Sequence, residues 1–394
     1  MLNKAVYITH AKRTAVGTLL GSLSGISAVK LGAIVMRAIL DESKIDYNLI
    51  NEVILGQVIT GGAGQNPARQ VLIEAGLSKE IPGYTVNKVC GSGMKAVTLA
   101  ASSIALGQNE IVIAGGQENM SLGMHATYLR AGLKLGNAQM LDLTQNDGLT
   151  DAFSDAAMGV TAENVAKLFD ISREEQDAFA LDSHKKAASA ISRGIFKDEI
   201  VPLEIRLKKE LKIFDTDEGV RADSNLEVLS KLRPVFNATG GSVTAGNASP
   251  INDGAAALLL ASEKAVKANK LTPIARIVSF ASAGVDPNIM GIGPVPASKK
   301  ALELAGWNLQ DIDLIESNEA FAASSIAVNR QMNWDLSKLN VNGGAIALGH
   351  PIGASGARIL TGLVHQMKRQ NAKKGLATMC IGGGMGIAIC IESL

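Results

Sequence analysis

Four side chains in this sequence have the types and settings that acyl transfer needs. They are Cys90 in "NKVCGSG", His350 in "NGGAIALGHPIGASG", Cys380 in "LATMCIGGGMG" and Asn318 in "IESNEAFA". A thiol next to a base is an activated nucleophile, and an amide can orient water or the imidazole. Cys90 falls between the short apolar run "YTVNKV" and a small-residue helix expected from near Met94, so its sulfur should meet the exposed N–H groups of a helix N-terminus. That setting is expected to lower a thiol pKa. The competing reading is a packed core cysteine, the commoner fate of a free thiol. Glycines in "CGSG" favour the functional reading, because they let a ligand approach the backbone closely.

His350 directly precedes Pro351, which pushes it out of the helical region and onto an extended loop expected between a strand and a helix. His184 on a charged helix and His365 beside an apolar stripe read as solvated or satisfied residues, while His10 and His125 have no supporting motif. Cys380 ends a strand before "IGGGMG", and Cys390 alternates with Ile389 and Ile391 as packing. Asn318 can be a helix N-cap or an orienting amide, and both readings stand. Neither glycine turn reads GxGxxG with an acidic partner or GxxxxGK[ST], so a nucleotide-binding reading is weak.

The elements that must position these residues alternate short apolar strands with longer amphipathic helices, in the first 115 residues and again in the last 120. The two stretches resemble each other in order. "GSG", a helix and "EIVIAGG" in the first match "GASG", a helix and "LATMCIGGG" in the second, where Ile359, Leu360, Leu363, Val364 and Met367 form one helical face. Earlier, "LGAIVMRAILDES…EVILGQV" matches "KKALELAGWNLQDIDLIESNEAF". Two related α/β halves would bring their loop ends to a shared cleft. Between them, about Met120 to Pro250 is richer in charge and reads as an inserted, mostly exposed domain, with a helix opened by a Ser172/Glu175 capping box and closed near Gly194.

Composition limits the function classes. The 394 residues exceed one compact core, and 47% hydrophobic against 19% charged residues is a globular balance. A net charge of +1 and 4% aromatics supply neither a field nor a stacking surface for nucleic acid. Three cysteines without CxxC spacing indicate neither a disulfide framework nor a metal site, and a reducing cytoplasm is expected. The uncharged stretch from Ala377 to Ile391 holds four glycines and is too short to span a bilayer, and the N-terminal residues lack the apolar core of a signal peptide.

The motifs together reach a family. "NKVCGSG", "GGQENMS", "KLRPVF", "TAGNASPINDGAAA", "GIGPVPAS", "NEAFA", "NGGAIALGHPIGASGAR" and "CIGGGMG", in this order, resemble the thiolases and in particular their acetyl-CoA C-acetyltransferase (acetoacetyl-CoA thiolase) branch. The resemblance implies a five-layer α-β-α-β-α fold of two similar halves with an inserted loop domain. It divides the chain into 1–119 plus 251–273, the inserted 120–250, and 274–394. It implies that Cys90 becomes acetylated, that His350 takes its proton and binds an oxyanion, and that Cys380 is the general acid/base. A water held by Asn318 and the backbone N–H groups of Cys90 and Gly382 complete two oxyanion sites.

For coenzyme A the matching positions are Leu149, Met158, Arg221, Phe236, Ala245, Ser249, Met290, Ala320 and Phe321, with Met158 and Met290 near the acyl group. Coenzyme A species are then substrates, with no permanently bound cofactor and no metal. The expected partners are acetyl-CoA, acetoacetyl-CoA and CoA in a homotetramer, with no nucleic acid or membrane. The chain departs from relatives at Ala157, Val228 and His10, which bears on CoA affinity rather than reaction class. The alternatives are a 3-ketoacyl-CoA thiolase of broader chain length and a non-catalytic acyl-CoA binding protein on the same scaffold.

Overall fold

The computed structural model describes residues 4–207 and 210–394. In chain order the first half supplies β1 (Val6–Thr14), α1 (Ala28–Ser43), β2 (Glu52–Gly56), α2 (Pro67–Glu74), β3 (Gly83–Val86), α3 (Ser92–Ala105) and β4 (Ile111–Asn119). Helices α4 (Met158–Leu168) and α5 (Arg173–Ser192) follow, and β5 (Asn252–Ser262) returns to the first half. The second half is β6 (Ala275–Gly284), α6 (Pro294–Ala305), β7 (Leu314–Ser317), α7 (Ala322–Met332), α8 (Ala345–Leu348), α9 (Ile352–Gln370), β8 (Lys374–Ile381) and β9 (Met385–Glu392).

The repeat expected from sequence is present. Strands run β1-β5-β4-β2 in one half and β6-β9-β8-β7 in the other, with β3 added beyond β2. In each half the first two neighbouring pairs are antiparallel and the last pair is parallel. The halves join edge to edge where Val6–Ile8 pair antiparallel with Ala275–Ile277. Helices α3 and α9 pack on each other between the sheets, α1 and α2 cover the outer face of one, and α6 covers the other. This is the five-layer α-β-α-β-α arrangement.

The central layer explains why the sheets carry near-continuous apolar runs: β4 and β5 are buried along their whole length because helices lie on both faces. Ile359, Leu360, Leu363, Val364 and Met367 of α9 are all buried, each adding about 1.5–3 kcal/mol of transfer free energy. The crossing of α3 and α9 is close enough to require glycine. A Cβ on Gly93 would lie 2.9 Å from the Gly353 carbonyl oxygen and 3.0 Å from the Ala357 nitrogen.

The segment between the halves is less exposed than expected. Its loop over 128–140 is exposed throughout, yet α4 packs on α7, and α5 packs on α7 and α8. Gln176, Ala180, Leu181, His184, Ala187 and Ala190 are buried in consequence. The Ser172/Glu175 capping box is formed on both sides, and Gly194 takes a left-handed φ of 68° just past the helix.

Candidate active site

Cys90 and His350 occupy equivalent places at the centre of the molecule. Cys90 immediately precedes Gly91, the N-cap of α3, and His350 immediately precedes Pro351, the N-cap of α9. The two crossing helices thus aim their N-termini at one point. Contrary to expectation, His350 lies between two helices, because "AIAL" forms the short α8 before it.

The turn carrying Cys90 is held under strain. Val89 has φ of +46°, a left-handed conformation that is a real outlier for a β-branched residue. Its N–H donates to Asn87 Oδ1 at 2.9 Å, Ser92 Oγ donates to its carbonyl at 2.6 Å, and the same Oγ accepts the Lys88 N–H at 2.8 Å. These bonds pin the turn and present the sulfur to its own N–H and to that of Gly382. Two backbone donors therefore converge where an oxyanion on a Cys90 acyl group would form.

Burial reverses the expected shift of the thiol. It pushes Cys90 up to about 11, against the opposing pull of the Gly382 and Cys90 N–H groups, so desolvation outweighs the helix terminus. Burial, and then the nearby Arg358 charge, pulls His350 down to about 3. Cys380 is pushed up by burial and by the proximity of Cys90. The resting site holds neutral thiols beside a neutral imidazole, which can accept a proton.

The imidazole's own partners set which nitrogen does so. Ser355 Oγ donates to the Pro351 carbonyl at 2.9 Å and lies 2.6 Å from His350 Nδ1. With its hydrogen so committed, the hydroxyl accepts Nδ1–H and leaves Nε2 with the lone pair. If the hydroxyl turns to donate to Nδ1, Nε2 becomes the donor. The His350 N–H is fixed on Asn252 Oδ1 at 2.8 Å.

Asn318 is not an N-cap, since Phe321 caps α7. Its Nδ2 stands 3.4 Å from His350 Nδ1 and 3.5 Å from Nε2, and such near-equal distances place the amide over the ring rather than on either lone pair. Glu118 lies buried under the site, accepting the N–H groups of Val58, Ile59 and Gly353, and burial raises it to about 7.

A cavity of about 300 Å3 opens onto Cys90 and His350. Leu149, Met158, Phe236, Ser249, Met290, Ala320 and Phe321, seven of the positions that the resemblance assigns to coenzyme A, line it. Cys380 sits just behind that wall, packed with Met158, Met290, Ala320 and Phe321. Arg221 and Ala245 are exposed and outside the lining. Sequence reasoning missed Met120, Gln145 and Ile352, which also line it; Met120 and Ile352 stand inside the "ENMS" and "HPIG" motifs, which was the available signal. Ala157 lines the cavity, whereas Val228 is exposed and His10 lies half-buried beside Thr9, outside the lining. His184 is a satisfied buried residue accepting the Arg221 N–H, and His365 pairs with the Ala11 carbonyl.

The family models for the thiolase N-terminal domain and the thiolase C-terminal domain match residues 6–264 and 271–393. The chain belongs to the thiolase family. A relative named acetyl-CoA acetyltransferase from Paracoccus denitrificans is 56% identical, covering 99% of this chain and 100% of the relative. A probable acetyl-CoA acetyltransferase of Escherichia coli K12 is 54% identical over 99% of both chains. Among solved thiolase-fold structures, the Bacillus anthracis acetyl-CoA acetyltransferase superposes with a TM-score of 0.97 at 44% identity, covering 100% of both chains. Human mitochondrial 3-ketoacyl-CoA thiolase in complex with CoA gives 0.96 at 43%, covering 100% of this chain and 99% of that one. Both support the thiolase fold read above.

Proposed function

We propose that this protein is an acetyl-CoA C-acetyltransferase that condenses two acetyl-CoA reversibly to acetoacetyl-CoA and CoA. The observation that carries the reading is the meeting of Cys90 and His350 at one apolar cavity narrowed by Met158 and Met290, with Cys380 packed against those two methionines. In the first step His350 Nε2 takes the Cys90 thiol proton as the sulfur bonds to the acetyl carbon. The CoA–acetyl bond breaks, and the departing CoA sulfur receives that proton. The Cys90 and Gly382 N–H groups hold the oxygen as it gains charge.

In the second step Cys380 passes its thiol proton to the neutral His350 Nε2 and, as thiolate, takes a methyl proton from a second acetyl-CoA. The resulting carbon nucleophile attacks the acetyl-Cys90 carbonyl, the bond to sulfur breaks, and the His350 imidazolium returns its proton to the Cys90 sulfur, restoring neutral thiols and a neutral imidazole. The enolate oxygen faces His350, donating from Nε2, and a water oriented by Asn318. Thiolysis is the same path reversed.

Coenzyme A is substrate here, not a resident cofactor. Leu149, Met158, Phe236, Ser249, Met290, Ala320 and Phe321 hold its inner part and the acyl group, and Arg221 and Ala245 serve its outer part. The functional units are 1–119 with 251–273, 120–250 and 274–394, in a cytoplasmic homotetramer; among the described residues no helix is long and apolar enough to cross a membrane. A broader 3-ketoacyl-CoA thiolase would share every catalytic residue, but the paired methionines leave it little acyl room. The test is the ratio of kcat/KM in thiolysis of acetoacetyl-CoA and of a six-carbon or longer 3-ketoacyl-CoA. Preference for acetoacetyl-CoA supports the reading; equal or reversed preference assigns the broader activity.

A further inference from the structure

Arg358 is a buried cation that the chemistry above leaves without a role. It stands on α9, two turns beyond His350, and is only 5% exposed. Long charged side chains are almost never fully buried unless paired, because the desolvation cost needs a close countercharge. Among the described residues, no carboxylate lies within 4.0 Å of its guanidinium. The acidic groups that feel its charge are Glu316 on β7 and, more weakly, Asp217 and Glu199. The latter two are committed to Arg13, at 2.7 and 2.6 Å.

The Arg358 Nε has no partner at all among the described residues. Its Nη2 donates to Asn318 Oδ1, at 3.4 Å. A buried charge held so poorly by its surroundings, yet aimed at the one amide beside the imidazole, is better explained by function than by stability.

We propose that Arg358 is a positioning residue for the condensation. By holding Asn318 Oδ1, its guanidinium turns the amide N–H groups toward His350 and the cavity. An amide has one acceptor end and one donor end, and a cation on the acceptor end forbids the flipped orientation. The Asn318 backbone is fixed independently, since its N–H donates to the Thr378 carbonyl at 3.0 Å. What Arg358 controls is therefore the last torsion of the side chain. Arg358 does not line the cavity, so it acts through Asn318 and not on substrate.

The inference rests on the acetyltransferase reading, and the test separates the two. Wild type, Arg358→Met, Arg358→Lys, Asn318→Ala and Arg358→Met/Asn318→Ala are compared for acetoacetyl-CoA formation, with melting temperature read alongside. Arg358→Met should lower kcat by about 10–100-fold with KM for acetyl-CoA within about twofold, the usual scale for a group that orients a catalytic one. Its melting temperature should hold or rise, because no ion pair is broken. In the Asn318→Ala background the same change should cost less than about threefold, since residues acting as one unit are non-additive.

Arg358→Lys keeps the charge but not the planar fork. It should fold as wild type does and recover only part of kcat, so it decides the matter should the methionine variant fail to fold. Equal losses in both backgrounds, or a fall in melting temperature with kcat untouched, overturn the proposal. A wild-type protein that forms no acetoacetyl-CoA instead overturns the function on which it rests.

Discussion

Replacing Cys380 by alanine should separate the two halves of the reaction. The side chain is 2% exposed and packs with Met158, Met290 and Ala320, so the change removes one sulfur from a buried cluster. A void of that size costs on the order of 1 kcal/mol, and the protein should remain folded. Acetyl transfer to Cys90 uses His350 and the N–H groups of Cys90 and Gly382, none of which Cys380 supplies. Condensation loses its general base, worth about 10²–10⁴-fold, or about 2.7–5.4 kcal/mol of barrier. The assay mixes Cys380→Ala with acetyl-CoA, quenches in acid at intervals, and follows acetyl-Cys90 by mass beside acetoacetyl-CoA in solution. Acetyl-enzyme should accumulate at nearly the wild-type rate while acetoacetyl-CoA falls below one part in about a hundred. Equal loss of both signals in folded protein would refute the division of labour between the two cysteines.

Three further outcomes follow from the geometry. With burial raising the Cys90 thiol to about 11, its alkylation by iodoacetamide in the free protein should climb about tenfold per pH unit from about pH 7 to about pH 10, and a plateau near neutrality would contradict the neutral resting pair. Met290→Ala empties a site only 2% exposed, so chemical denaturation should show a loss of about 2–5 kcal/mol, and thiolysis of longer 3-ketoacyl-CoA should gain relative to acetoacetyl-CoA. Gly93→Ala sets a methyl against the backbone of α9 at Gly353 and Ala357, so melting should reveal about 1–3 kcal/mol of destabilisation together with reduced turnover.

The repeat and the settings of Cys90, His350 and Cys380 could be read from sequence because each depends on a local pattern: apolar periodicity, a proline after histidine, glycines after a thiol; the five layers came only with the resemblance to the thiolases. What could not be read depends on neighbours far along the chain. Cys90 does stand before a helix N-terminus, but whether that terminus or burial controls its proton is decided by the second half closing over it, with Gly382 and Ile381 packed at the turn. His350 follows a helix because "AIAL" is pinned by Glu319, whose carboxylate accepts the Ile346 N–H. Asn318 fits the composition of an N-cap, yet α7 begins later and frees the amide for the imidazole. The buried face of α5, with polar Gln176 and His184 turned inward, has no amphipathic signature, since their partners are Ser242 and the Arg221 backbone.

The most direct test of the central claim is brief exposure of reduced, folded protein to acetyl-CoA, acid quench, and location of the added mass by peptide analysis, with Cys90→Ser alongside. An acetyl group on Cys90 in the wild type and absent from the variant is the predicted result. No acetyl group, or one on Cys380 or Cys390 with Cys90 unmodified, would contradict the assignment of Cys90 as the sulfur that carries the acyl group.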